Sequence, residues 1–257
     1  MTQTDCGFKD HFAPVSDAYA SFRPRYPAAL FTWLASIAPA RGLAWDCACG
    51  TGQASIDLAQ HFAQVIATDA SAAQLAGATP RANVEYRLAP AEASGLAPAS
   101  LDLVVVAQAL HWFDLPRFYD EVRRVLKPGG VLAVWSYGRQ TLDDVAVDAH
   151  VQRFYADTVG PYWPPERELV EQGYRTIPFP FTELATPELA LTARWPLAHL
   201  SGYFRSWSAT GRYIAAHGAD PVVALSDELS RVWGEPDNER LVTWPLTLRA
   251  GIVPNAL

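Results

Sequence analysis

The sequence predicts an α/β fold built on a mainly parallel sheet, and three observations predict it. Short apolar runs recur between residues 43 and 137, separated by stretches of about ten residues with helical periodicity. Each run closes on Gly, Asp or a polar loop. The run Leu101 to Ala107 is almost continuously apolar, as a central strand buried on both faces must be.

The elements follow in order. Tyr19, Arg23 and Tyr26 lie at helical spacing until Pro24 and Pro27 interrupt it. Phe31, Leu34 and Ile37 then predict a short amphipathic helix. Leu43 to Ala48 reads as a first strand, followed by a helix over residues 54–62. Val65 to Asp69 is a second strand, and a short helix follows with Ser71 as its N-cap. Val84 to Leu88 alternates and gives a third strand, Leu101 to Ala107 a fourth. A helix over residues 115–126 and a Lys-Pro-Gly-Gly turn at 127–130 lead to a fifth strand, Val131 to Trp135. Residues 143–160, 197–216 and 221–233 read as helices, and Leu241 to Arg249 as a late strand.

The chain has 257 residues and a formal charge of −7. Only Lys9 and Lys127 are lysines, and the arginines are spread along the chain rather than gathered into a stripe. That argues against nucleic acid and against an anionic membrane as partners. Three cysteines (Cys6, Cys47 and Cys49) make no disulfide framework and no zinc set. No apolar run reaches membrane-spanning length. A cytoplasmic protein, monomeric or homodimeric, is expected.

Ligands of open parallel sheets lie beyond the carboxyl ends of the strands. Strand 1 ends in Asp46-Cys-Ala48-Cys-Gly50-Thr-Gly52, where glycines allow a tight turn and close approach of a ligand to the backbone. A dinucleotide fingerprint would need Gly at position 55, which is Ser55, so an NAD enzyme is disfavoured. Asp69, nineteen residues past Gly50 and followed by Ala70, can accept both hydroxyls of a ribose or serve a helix N-terminus. Ala91 and Glu92 follow strand 3, and Gln108-Ala-Leu-His111-Trp112-Phe-Asp114 follows strand 4.

In order and spacing these pieces resemble the class I S-adenosylmethionine (SAM) dependent methyltransferases, with Ala48 where the family's first motif has its first Gly. The His-Trp pair after strand 4 and the Tyr19-to-Pro27 segment resemble the branch that includes trans-aconitate methyltransferases. Trp207-Ser-Ala echoes that branch's late insertion. The resemblance covers roughly residues 43–137. It implies a Rossmann-like, doubly wound, seven-stranded, mostly parallel sheet in one domain spanning 1–257. That domain would carry an N-terminal helical lid at 1–42, a SAM-binding core at 43–140 and a helical insertion at 185–235.

The resemblance further implies SAM as cofactor, S-adenosylhomocysteine as product and a small-molecule acceptor, a carboxylate among the candidates. Asp46, Ala48, Gly50, Gly52, Asp69, Ala70, Ala91, Glu92 and Gln108 are the cofactor candidates, with Tyr19 and Arg23 from the lid. Ala48 suits its turn provided its φ is negative. His111 is the candidate general base, or else a side chain that shapes the pocket. Trp112, Trp135, Tyr137, Arg205 and Trp207 are candidates for acceptor contact, though for each aromatic core packing is the competing role. No metal is required. Two further readings share the cofactor fold: an aminopropyltransferase and a non-catalytic SAM-binding module.

Overall fold

The computed structural model describes residues 22–253. Nine strands form one sheet, beginning β3-β2-β1-β4-β5-β9. They are β1 (Leu43–Cys47), β2 (Gln64–Asp69), β3 (Val84–Leu88), β4 (Leu101–Ala107), β5 (Leu126–Tyr137), β6 (Thr141–Leu142), β7 (Thr182–Glu183), β8 (Leu189–Trp195) and β9 (Arg240–Ile252). The first five run parallel. β9 is antiparallel to every neighbour. Leu246 of β9 pairs with Tyr137 on one side and Leu189 on the other, so β5 and β8 flank it. The two-residue strands prolong those flanks: β6 beyond β5, and β7 beside the far end of β9. Seven strand positions therefore cross the sheet, as expected.

Local chemistry accounts for the elements. β4 is fully buried from Leu101 to Val106, which places an apolar side chain on both faces at nearly every step. Asp102 is the exception, and its carboxylate is satisfied by the amides of Gly42 (2.8 Å) and Leu43 (3.0 Å) and by Lys127 Nζ (2.6 Å). It thus ties β1, β4 and β5 together at their amino ends.

Helix α1 (Ala28–Ile37) buries Leu30, Phe31 and Leu34 on the sheet. Helices α2 (Gln53–Leu58) and α3 (Ala72–Ala76) are short, and α3 begins with Ser71 Oγ accepting from the Gln74 amide. Helix α4 (Leu115–Val125) is amphipathic and capped by Asp114. Helices α5 (Val145–Arg153) and α6 (Arg167–Glu171) follow β5.

Helices α7 (Leu197–Arg205), α8 (Ser208–His217) and α9 (Pro221–Trp233) form the late helical layer. The helical insertion expected from residue 185 is therefore helical only from Leu197, because Leu189–Trp195 is drawn into the sheet as β8 along the open edge of β9.

Two apolar layers sandwich the sheet. One gathers α1, α5 and α7–α9 around Trp135, Trp233 and Trp244; the other gathers α4 around Trp45 and Phe118. Those four tryptophans, of nine in the chain, are fully buried. No helix among the described residues is long and apolar enough to cross a membrane.

Candidate active site

The sheet order brings the ends of β1, β2 and β4 to one edge, β1 lying between the other two. At the end of β1 the chain turns through three left-handed residues: Ala48 (φ +56°), Gly50 (φ +56°) and Gly52 (φ +82°). The sequence expectation for Ala48 was a negative φ. The positive value means that an alanine occupies a conformation that strains any residue with a Cβ. Gly52 is constrained a second way, since a Cβ there would stand 2.3 Å from Tyr86 Oη.

Asp69 anchors this loop. Its Oδ2 accepts the Gly50 amide and its Oδ1 the Ser71 amide, both at 2.8 Å. A carboxylate oxygen can accept two hydrogen bonds. Ala70 follows, half-buried. Asp46 is fully buried; its Oδ2 accepts Ser55 Oγ–H at 2.5 Å, and its Oδ1 has no hydrogen-bond partner among the described residues. Burial pushes the Asp46 carboxyl up to about 7, partly opposed by the Ser55 bond and reinforced by the Asp69 charge.

An unpaired buried oxygen costs roughly 1–3 kcal/mol, which a donor entering the cleft recovers. A cationic ligand with hydroxyls, entering over left-handed glycines, suits this arrangement. SAM carries both features, so the residues present fit it. Ala91 is buried after β3, and Glu92 Oε1 accepts the Asp114 amide (2.9 Å), which fixes the start of α4.

Beside this loop, past the end of β4, a second cleft opens. Gln108 stands at its edge with φ +58°; its amide bonds to the Trp135 carbonyl (2.9 Å) and its Nε2 donates to the Tyr137 carbonyl (3.3 Å). Arg23, His111, Trp112, Tyr137 and Trp207 line the cleft together. Arg23 donates to Tyr137 Oη (3.0 Å) and to the Ser206 carbonyl (3.2 Å), which fixes it in the cleft wall. Its place among these groups puts it nearer the acceptor candidates than the cofactor loop with which it was grouped. Tyr19 lies outside the described residues.

Two expected acceptor residues are elsewhere. Trp135 is fully buried one layer beneath Tyr137, with its ring edge-on to Tyr26 (5.6 Å) and Phe31 (6.4 Å), because it points into the α1 layer. Arg205 points to the surface and pairs with Asp220 (2.7 Å) at the start of α9.

The structure adds residues that periodicity did not single out: Gln140, Trp163, Arg167, Val170, Tyr203, Ser206 and Ser208. Arg167 is the most informative. Its guanidinium lies 4.8 Å over the Trp163 ring, and its Nε donates to Tyr155 Oη (2.9 Å). Its two terminal nitrogens donate to no protein group among the described residues. His111 Nδ1 lies 2.8 Å from Tyr174 Oη, and burial together with the Arg167 charge pushes its pKa down to about 3. His111 is therefore neutral at physiological pH and a very weak base, which removes the reason for assigning it general-base work. The described residues contain no cluster of three or more His, Cys, Asp or Glu side chains that could hold a metal.

Comparison with known proteins places this geometry. A methyltransferase domain family matches residues 45–134. A protein assigned as a methyltransferase in Dictyostelium discoideum is 35% identical over 239 residues, covering 92% of this chain and 91% of that one. One assigned as a SAM-dependent methyltransferase in Saccharomyces cerevisiae is 33% identical over 128 residues, 46% of this chain and 44% of that one. A solved structure assigned as a type II methyltransferase, from Anaeromyxobacter dehalogenans, shares 49% identity and a TM-score of 0.86, covering 91% of this chain and 100% of that one.

Proposed function

This chain belongs to the class I SAM-dependent methyltransferases, and on that premise we propose that its acceptor is a small organic anion, a carboxylate in the first instance. One observation carries the proposal. The second cleft is lined by two guanidiniums, Arg23 and Arg167, and by no Asp or Glu side chain, in a protein of net charge −7; Glu171 approaches Arg167 at Nε (3.7 Å), not at its terminal nitrogens. A guanidinium matches a carboxylate with two parallel N–H bonds. The open terminal nitrogens of Arg167, held in place by Trp163 and Tyr155, suit that recognition.

SAM supplies a methyl group already activated on a sulfonium. The residues then have three tasks. The Gly50–Gly52 loop, Asp46 and Asp69 bind and orient the cofactor. Arg167 and Arg23 orient the acceptor. Trp112, Trp163, Trp207 and Tyr203 wall the cleft against water. Alignment and exclusion of water lower much of such a barrier. A carboxylate is already ionised at neutral pH, so a neutral His111 is no obstacle.

The test is transfer of label from methyl-labelled SAM to a panel of small aromatic and aliphatic carboxylates. Label recovered as a base-labile methyl ester supports the reading. Label recovered only as a base-stable N-, S- or C-methyl product overturns it.

A further inference from the structure

Behind His111, at the end of α6, stands a tyrosine whose placement is unusual. Tyr174 is 1% exposed and has φ +57°. A bulky residue in the left-handed region is an outlier that persists only where its surroundings over-determine it, and such outliers cluster at functional sites. Here they do. The Tyr174 amide donates to the Leu169 carbonyl (2.9 Å). Arg249 of β9 reaches across to the carbonyls of Tyr174 (2.9 Å) and Ile177 (2.7 Å). The Glu183 carboxylate in turn holds Arg249 (2.7 Å).

This scaffold aims one atom, the Tyr174 oxygen, at His111 Nδ1. Among the described residues, His111 Nδ1 is the one hydrogen-bond partner of that oxygen, and the nearby Ser136 hydroxyl makes no hydrogen bond. A buried phenol O–H needs an acceptor, and Nδ1 at 2.8 Å is the one within reach. Burial raises the phenol's pKa well above its ordinary value, so the proton is always there to give. An imidazole whose Nδ1 accepts must carry its own proton on Nε2. With Nδ1 turned to the interior, Nε2 is the edge left facing the cleft that His111 lines.

We propose that Tyr174 is a positioning residue that locks His111 in the Nε2–H tautomer, so that His111 presents a hydrogen-bond donor to the acceptor's oxygen instead of acting as a base. The charged and titratable groups around it agree. Arg167, Arg23 and Tyr137 share the cleft, and the Arg167 charge disfavours imidazolium. Two donors then face one ligand, the Arg167 fork and His111 Nε2–H, with the Arg23 charge beside them. The class of acceptor they fit is an oxyanion beside an apolar body. The tautomer does not depend on the methyl-acceptor reading; only the identity of the group that receives the bond does.

The test is nitrogen NMR of the full chain labelled at histidine, with the His111 signals identified by their loss in His111→Gln. Without SAM or acceptor, the expected spectrum shows Nδ1 bare and Nε2 protonated from about pH 8 down to about pH 5. Tyr174→Phe, which removes only the hydroxyl, is expected to give a mixture of tautomers while the remaining histidine signals stay in place. An Nδ1–H tautomer in the wild type, imidazolium forming near pH 6.5, or an unchanged spectrum in Tyr174→Phe would overturn the proposal. The wild-type spectrum decides the tautomer by itself if the variant folds poorly. In the labelled-methyl assay, His111→Gln keeps an N–H donor near the Nε2 position and is expected to retain kcat/KM within about threefold. His111→Ala should lose about tenfold, the size of one hydrogen bond to a charged group. Equal loss in both variants contradicts the donor role. Because the spectrum needs no acceptor, its failure and the failure of the carboxylate reading are separate results.

Discussion

The Asp69 carboxylate accepts the Gly50 amide at 2.8 Å, joining the end of β2 to the loop that follows β1. One side chain therefore shapes the loop, and it is also the proposed partner of the cofactor's ribose hydroxyls. Asp69→Ala removes both contributions. Hydrogen bonds to a charged group contribute about 1.5–3 kcal/mol. S-adenosylhomocysteine binding by calorimetry is expected to weaken roughly 10- to 100-fold. Affinity within twofold of wild type would place the ribose elsewhere.

Ala48 carries left-handed strain where glycine carries none. Ala48→Gly relieves that strain, about 1–2 kcal/mol, and adds roughly 0.5–1 kcal/mol of unfolded-state entropy against it. The expected net gain is about 0.5–1 kcal/mol, read as a higher denaturant midpoint at unchanged slope. A loss of stability would show that the alanine methyl makes packing contacts worth more than the strain.

Asp46 predicts a pH dependence with a definite sign. Its pKa is raised in the fold, from 3.8 to about 7, chiefly by burial. Between those values the folded state holds a proton that the unfolded chain has lost, so this group's effect is to lower the free protein's stability as pH rises through that window. A ligand with net positive charge favours the ionised form. SAM affinity should therefore rise as pH rises toward and through about 7, with release of a proton, and Asp46→Asn should flatten the profile. A wild-type profile that is flat from about pH 5.5 to 8 contradicts the assignment.

The two arginines near the late helices should behave differently. Arg167→Gln leaves SAM binding intact and lowers kcat/KM for an anionic acceptor about 10- to 100-fold, through the loss of a bidentate pair. Arg205→Ala breaks only a surface pair with Asp220, of the kind that contributes about 0–1 kcal/mol, and leaves kcat/KM unchanged. The reverse order of effects would move the acceptor site toward α7.

The fold was legible because burial on both faces of a parallel sheet writes itself as short apolar runs. β3 and β4 carry the bounds that their alternation and apolar run indicate, and Ser71 caps α3 as its position before an apolar turn suggests. β8 was not legible: its pairing depends on β9, some fifty residues later, so no local pattern distinguishes it from the helices that follow. The loop at the carboxyl edge, which carries the proposed cofactor residues, was legible because Asp46, Gly50, Gly52 and Asp69 sit at or just past strand ends. The second cleft was only half legible. Arg167 and Tyr174 lie in a Pro-rich stretch without periodicity, and only the fold of that stretch against β4, β5 and β9 gives them roles. Trp135 and Tyr137 share a strand face, and nothing local shows that Tyr26 and Phe31 bury the first while the second, also touching Tyr26, still reaches the cleft.

The central claim is that the methyl acceptor is an anion read by the guanidiniums of the second cleft. The most direct measurement compares initial methyl-transfer rates for a carboxylic acid taken from the acceptor panel and for its neutral primary amide, at one SAM concentration and neutral pH. The account predicts methylation of the acid and, because the amide brings no charge to Arg167 and Arg23, none above background for the amide. Equal rates, or faster transfer to the amide, would contradict it.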